Sequence, residues 1–104
     1  MNDHNKTVAQ PLTGLRVIEF THMVMGPTCG MVLADLGAEV IKIEPVDGDR
    51  TRSLVGAGAG FFPMFNRNKK SIAIDLHSAE GAAAARRLCA TADVVAENFK
   101  PGTM

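Results

Sequence analysis

Three stretches of this chain hold residues whose types and order suit binding chemistry. Thr21-His-Met-Val-Met-Gly-Pro27 ends on proline, a residue suited to the first position of a helix. A helix N-terminus presents free N–H groups and the positive end of its dipole to an anion. His22 in that turn can contact a phosphate or carboxylate, or can be a solvated loop histidine. Asn98-Phe99-Lys100 sets together an amide that can bond a base or ribose, a ring that can stack and an ammonium that can neutralise phosphate. It reads equally as an exposed connector. Between Arg50 and Lys70 stand Arg50, Arg52, Arg67, Lys69 and Lys70 with no acid among them, interleaved with Asn66 and Asn68 and beside three phenylalanines. Such a run is commonly a solvated face, and the mixture also suits a flat heterocycle carrying phosphates.

Other candidates fail on context. Gly56-Ala-Gly-Ala-Gly60 lacks the third glycine of a dinucleotide fingerprint, because Phe61 stands in its place, and it follows Asp49-Arg-Thr-Arg52 instead of a strand. It reads as a flexible loop. Glu44 could imitate the acid that holds an NAD ribose, but the glycine motif that must accompany it is missing. Cys29 and Cys89 read as small inert hydrophobes and the six methionines as packing. The His, Cys, Asp and Glu positions offer no metal-ligand spacing.

The elements that must carry these residues alternate. Leu15-Arg-Val-Ile-Glu-Phe20 is β-branched and aromatic, follows Gly14, and reads as a mostly buried strand. A helix of about ten residues is expected from Pro27, with Cys29, Val32, Leu33 and Leu36 as its apolar stripe and Gly37 as a left-handed C-cap. Glu39-Val-Ile-Lys-Ile-Glu44 is a second strand. This βαβ unit implies a parallel pair with a right-handed crossover and an α/β fold. Residues 45 to 60 make a long loop, and Ser71-Ile-Ala-Ile-Asp75 a third strand. Ser78 can N-cap a second helix that buries Ala82, Ala85, Leu88, Cys89 and Ala92 and turns Arg86 and Arg87 outward. Asp93 to Asn98 is a fourth strand and residues 99 to 104 a connector. In an open α/β sheet the connectors Thr21 to Pro27, the loop from Pro45 onward and Asn98-Phe99-Lys100 lie beyond the carboxyl ends of the strands, where ligands bind.

The chain has 104 residues, and eleven Lys and Arg balance eleven Asp and Glu. No net field recruits nucleic acid or an anionic membrane, and no apolar run approaches the roughly 20 residues of a membrane span. The first seven residues lack the basic and apolar regions of a secretory signal, and two lone cysteines make no disulfide framework, so a reducing cytoplasm is expected. Residues 1 to 10 read as a loose tail and 11 to 104 as one domain. Two helices cannot cover four parallel strands on both faces, so the chain is expected to be part of something larger.

Several segments carry a family resemblance. Pro11-Leu-Thr-Gly-Leu-Arg-Val-Ile-Glu-Phe-Thr-His22, Gly26-Pro27, Leu33-Ala-Asp-Leu-Gly-Ala-Glu-Val-Ile-Lys-Ile-Glu44, Gly48-Asp-Arg-Thr-Arg52, Phe65-Asn-Arg-Asn-Lys-Lys-Ser-Ile-Ala-Ile-Asp-Leu76 and Ala92-Asp-Val-Val-Ala-Glu-Asn-Phe-Lys-Pro-Gly102 resemble, in order, the N-terminal region of the class III CoA-transferases. That family includes formyl-CoA and carnitine CoA-transferases and is related to the 2-methylacyl-CoA racemases. The Phe-Asn-Arg-Asn-Lys-Lys and Glu-Asn-Phe-Lys-Pro-Gly wording is similar to the transferase branch. The resemblance implies a Rossmann-like parallel sheet with βαβ units, incomplete here, and a homodimer of interlocked subunits.

It further implies that CoA or acyl-CoA, bound as substrate and not as a permanent cofactor, is held by Val24 and Met25, by Pro45, by Ile74, Asp75, Leu76 and His77, and by Asn98, Phe99 and Lys100. Some members have a glutamine in place of Val24 and an arginine in place of Pro45. The implied reaction moves CoA from an acyl-CoA thioester to a free carboxylic acid through an aspartyl mixed anhydride and an aspartyl-CoA thioester. The family's aspartate matches none of the acids here, so Asp35, Asp75 and Glu97 read as structural. The alternatives are a racemase of the 2-methylacyl-CoA type and a nucleotide-binding module without catalysis.

Overall fold

A computed structural model describes residues 10–100. Of the expected tail, only Gln10 falls within them, and residues 101–104 of the last connector lie outside. The first strand, β1 (Arg16–Phe20), leads to helix α1 (Met25–Asp35) and back to β2 (Glu39–Glu44). A connector with two short 3-10 turns (Arg50–Ser53 and Gly56–Gly58) and a short helix α2 (Phe61–Phe65) precede β3 (Lys69–Ala73), helix α3 (Ala79–Ala90) and β4 (Val94–Glu97). All four strands are parallel, in the order β3-β2-β1-β4. The expected α/β class with parallel βαβ units is what forms.

Each face of the sheet carries one long helix. Under α1, Val17 and Val40 pack with Ala34 and Ala38, and Leu12, Leu15 and Leu33 close the cluster. Under α3, Ile18, Phe20 and Ile43 pack with Ala85, bordered by Leu88, Cys89 and Ala92. The alternation of strand side chains divides the residues this way, and the registers Val17↔Val40 and Ile18↔Ile41 keep like with like. Ser78 caps α3 as its sequence suggests, accepting the Gly81 N–H at 2.9 Å. Gly37 ends α1 with φ +108°, a conformation that favours glycine.

Four expectations are corrected. Helix α1 begins at Met25, two residues ahead of Pro27, with the Thr28 N–H bonded to Val24 O at 2.8 Å. Its buried residues are Pro27, Gly30 and Ala34, while Cys29, Val32 and Leu36 are exposed. The reason lies in the sheet beneath. A Cβ on Gly30 would lie 1.8 Å from Glu19 Oε1, so the helix can rest on that carboxylate only through small residues. The 45 to 60 segment is not featureless, because Asp49 caps the first 3-10 turn by accepting the Thr51 N–H at 2.9 Å. Strand β3 starts two residues earlier than expected, and Phe61–Phe65 is helical, with the two end rings packed edge to face 6.0 Å apart. At the sheet edges, Ile72 of β3 and Val94 and Val95 of β4 are exposed, which agrees with two long helices being too few to cover four strands.

Candidate functional site

The connectors beyond the carboxyl ends of the strands are tied to one another by buried charges. Glu19 on β1, Lys42 on β2 and Lys69 on β3 all turn toward α1, with Glu19 opposite Lys42 in register. Lys69 Nζ lies 2.8 Å from Glu19 Oε2, and Lys42 Nζ lies 3.0 Å from Asp49 Oδ2 and 3.6 Å from Glu19. Both lysines also reach backbone. Lys42 donates to Thr21 O at 2.6 Å and Lys69 donates to Pro27 O at 3.0 Å, so the two ends of the first connector are pinned. Burial pushes the Lys69 ammonium below its ordinary pKa, against the pull of Glu19. An ion pair this deep is sensitive to the loss of one partner, which leaves a buried charge uncompensated.

The same connector is held open in an uncommon backbone shape. Met23 sits at φ +65°, and its N–H is bonded to Thr51 Oγ1 of the second connector at 2.9 Å. On the other side, Asn98 donates to His22 O at 3.0 Å and accepts the His22 N–H at 3.1 Å, joining the β1 and β4 connectors. Gly26 permits this approach: a Cβ there would lie 2.7 Å from the Asn98 side chain. The His22 ring stacks on Phe99, with centroids 4.5 Å apart and planes 9° from parallel.

On the α3 side these connectors enclose a groove of about 470 Å³. Phe20, Ile43, Ile74 and Phe99 continue the apolar core into it, and Pro45, Leu76 and His77 are also part of its wall. Asp47 and Asp75 add carboxylates to the lining. Of the residues named from the resemblance, Pro45, Ile74, Asp75, Leu76, His77 and Phe99 are therefore brought together. Val24 and Met25 are not in the groove: Val24 precedes the first turn of α1 and Met25 is 79% exposed. Asn98 is engaged with His22, and Lys100 is exposed at the end of the described residues. Phe20, Ile43, Val46 and Asp47 join the lining without having been singled out in the sequence. The signal for the two core residues was their place at strand ends facing the ligand crevice.

The basic run between Arg50 and Lys70 is not an open polyphosphate surface. Arg52 grips Glu44 with two hydrogen bonds of 2.7 and 2.8 Å and lies over the Phe62 ring at 3.9 Å. That contact, aided by Ser71 and the Asp49 N–H, holds the Glu44 carboxyl at a pKa of about 2, and because each of its oxygens already accepts two hydrogen bonds, Glu44 is committed to these partners and not to a ribose. Arg67 pairs with Asp35 at 2.8 Å, Lys70 with Glu39 at 2.6 Å, and Lys69 is buried as described. Among the described residues Arg50 alone of the five has no carboxylate partner, and it lines a second depression beside His22 and Met23. Also among the described residues, no cluster of three His, Cys, Asp or Glu side chains could hold a metal ion, and no helix is long and apolar enough to cross a membrane.

The sequence model of CoA-transferase family III matches residues 12–104. The chain belongs to that family. As a family III member it is 46% identical over 102 residues to a probable fatty acyl-CoA transferase of Mycobacterium tuberculosis, covering 92% of this chain and 26% of that protein. It is also 46% identical over 101 residues to a succinate–glutarate CoA-transferase of Agrobacterium fabrum, covering 86% of this chain and 25% of the relative. A crystal structure of the M. tuberculosis protein superposes with TM-score 0.87 at 49% identity, covering 92% of this chain and 26% of that one. The chain thus spans about a quarter of the length of the curated family III relatives it matches. The family resemblance and the parallel α/β fold that it implies are both borne out by these matches.

Proposed function

We propose that this chain is the CoA-binding part of an enzyme that moves CoA between an acyl-CoA thioester and a free carboxylic acid. The observation that carries the reading is the groove itself. It lies beyond the carboxyl ends of the strands, and Pro45, Ile74, Asp75, Leu76, His77 and Phe99, all named from the family resemblance, converge on it. Its apolar floor suits a flat ring and its carboxylates suit amino or hydroxyl donors. Val24, Met25, Asn98 and Lys100 belong to the same set of connectors and would meet the remainder of an extended ligand.

In this reading an aspartate outside residues 1–104 attacks the thioester carbonyl, giving a mixed anhydride and free CoA thiolate. The thiolate attacks the aspartyl carbonyl of the anhydride, releases the first carboxylate and leaves an aspartyl-CoA thioester, so that one hard exchange becomes several easier ones. The acceptor carboxylate then attacks that thioester and takes over CoA by the reverse pair of steps. The chain's own task is to bind and orient CoA, which enters as substrate and not as a resident cofactor. The domain assignment over residues 11–104, a homodimeric assembly and a cytoplasmic location belong to the same proposal. The last is supported by two free thiols, Cys29 and Cys89.

Calorimetric titration of the chain with CoA and with NAD tests the reading. Saturable binding of CoA with none of NAD is expected. The reverse result would replace it with a nucleotide-binding module that does no acyl chemistry.

A further inference from the structure

We infer that His22 is a positioning residue for the ligand, acting through the ring of Phe99; the inference rests on the CoA reading above. Among the described residues Phe99 is the one groove residue supplied by the β4 connector, and its ring borders the cluster of Ile18, Phe20, Ile43 and Ala85. Its N–H is bonded to Glu97 Oε1 at 3.0 Å, which fixes the backbone and leaves the ring to its neighbours. His22 supplies a flat partner at 4.5 Å and 9°, from the β1 connector. His22 lines the second depression and not the groove, so it acts on the groove only through Phe99.

The contacts around His22 leave its ring to stack on Phe99. Asn98 bonds the backbone N–H and carbonyl of His22, not its ring, so the peptide is clamped while the side chain is left to stack. Among the described residues the buried ring atom Nδ1 has no hydrogen-bond partner. The flat ring is what the fold uses, and parallel aromatic pairs hold a ring at a set tilt where an aliphatic contact does not.

The test compares His22→Ala and His22→Phe in the full chain, reading the CoA dissociation constant by calorimetry and the melting temperature of each variant. His22→Phe keeps a stacking ring and is expected to bind CoA as the wild type does. His22→Ala is expected to bind about fivefold more weakly, the scale of one lost aromatic pair. In a Phe99→Leu background His22→Ala is expected to cause no further loss, because the two substitutions remove the same contact. A purely structural histidine would lower the melting temperature of both variants without that coupling in affinity. Binding by His22→Ala as tight as by the wild type, or a loss in His22→Phe equal to that in His22→Ala, overturns the inference while leaving the CoA reading standing. Absence of CoA binding by the wild-type chain overturns both.

Discussion

On the α1 face of the sheet, Glu19, Lys42 and Lys69 are buried together with Asp49 from the second connector; on the α3 face, Ile18, Phe20 and Ile43 form hydrocarbon contacts that run out into the groove. Both faces come from the same alternating strands, so the contrast shows what each kind of burial does. Charges in a dry layer have few acceptable arrangements, and each lysine ammonium reaches a specific backbone carbonyl as well as a carboxylate. That face fixes where the connectors go. The apolar face makes no such demand, tolerates an open end, and leaves a concave surface of the kind ligands fill. Position is set on one side and affinity is offered on the other.

The contrast breaks down if the charged face proves easy to alter. Lys42→Met removes the ammonium between Glu19 and Asp49 and is expected to destabilise the chain by about 3–5 kcal/mol in urea denaturation. A loss under about 1 kcal/mol would show that the charges are not a dry network. Gly30→Ala drives a methyl toward Glu19 Oε1, and overpacking of this kind costs about 1–3 kcal/mol. An unchanged denaturation midpoint would mean that α1 is free to shift from the carboxylate.

Acid titration sharpens the comparison further. The folded pKa of Glu44, about 2, lies below its ordinary 4.5, so its contribution is complete above about pH 4.5 and is lost as pH falls toward 2. On the order of 2 kcal/mol is expected, after allowing for the half-exposed Arg52. Glu44→Gln should flatten that part of the stability curve; the same acid slope in variant and wild type would assign it to other carboxylates. On the apolar face, Ile18→Val should cost only about 1 kcal/mol, because it removes one methylene and no partner. A loss as large as that of Lys42→Met would erase the distinction between the faces.

The fold was legible where local signals agreed. The β-branched run of β1, the Gly37 stop, the strand Glu39–Glu44 and the Ser78 cap each follow from residues within one element. What could not be read from local pattern was which side of α1 is buried. Cys29, Val32 and Leu36 make the more hydrophobic stripe, yet the helix turns Pro27, Gly30 and Ala34 inward because a carboxylate lies beneath it. Period alone ranks faces by hydrophobicity and cannot see a charge contributed by another strand. The basic run failed for a related reason: Asp35 and Glu39, more than 30 residues from their partners, and Glu44, just ahead of the run, neutralise residues that look unopposed from Arg50 to Lys70. One signal did exist, since Glu19 and Lys42 are opposite charges inside two strands expected to pair. The groove was legible by topology and by resemblance, because strand ends in an open parallel sheet locate a crevice without any contact being known.

Amide chemical-shift mapping with CoA tests most directly whether the apolar face is the binding side. The account predicts that Val46, Asp47, Ile74 to His77 and Asn98 to Lys100 shift with one common dissociation constant, while Cys29, Val32 and Leu36 on the outward side of α1 stay unmoved. Saturable shifts centred on α1, or on β3 and β4 away from the groove, would contradict it.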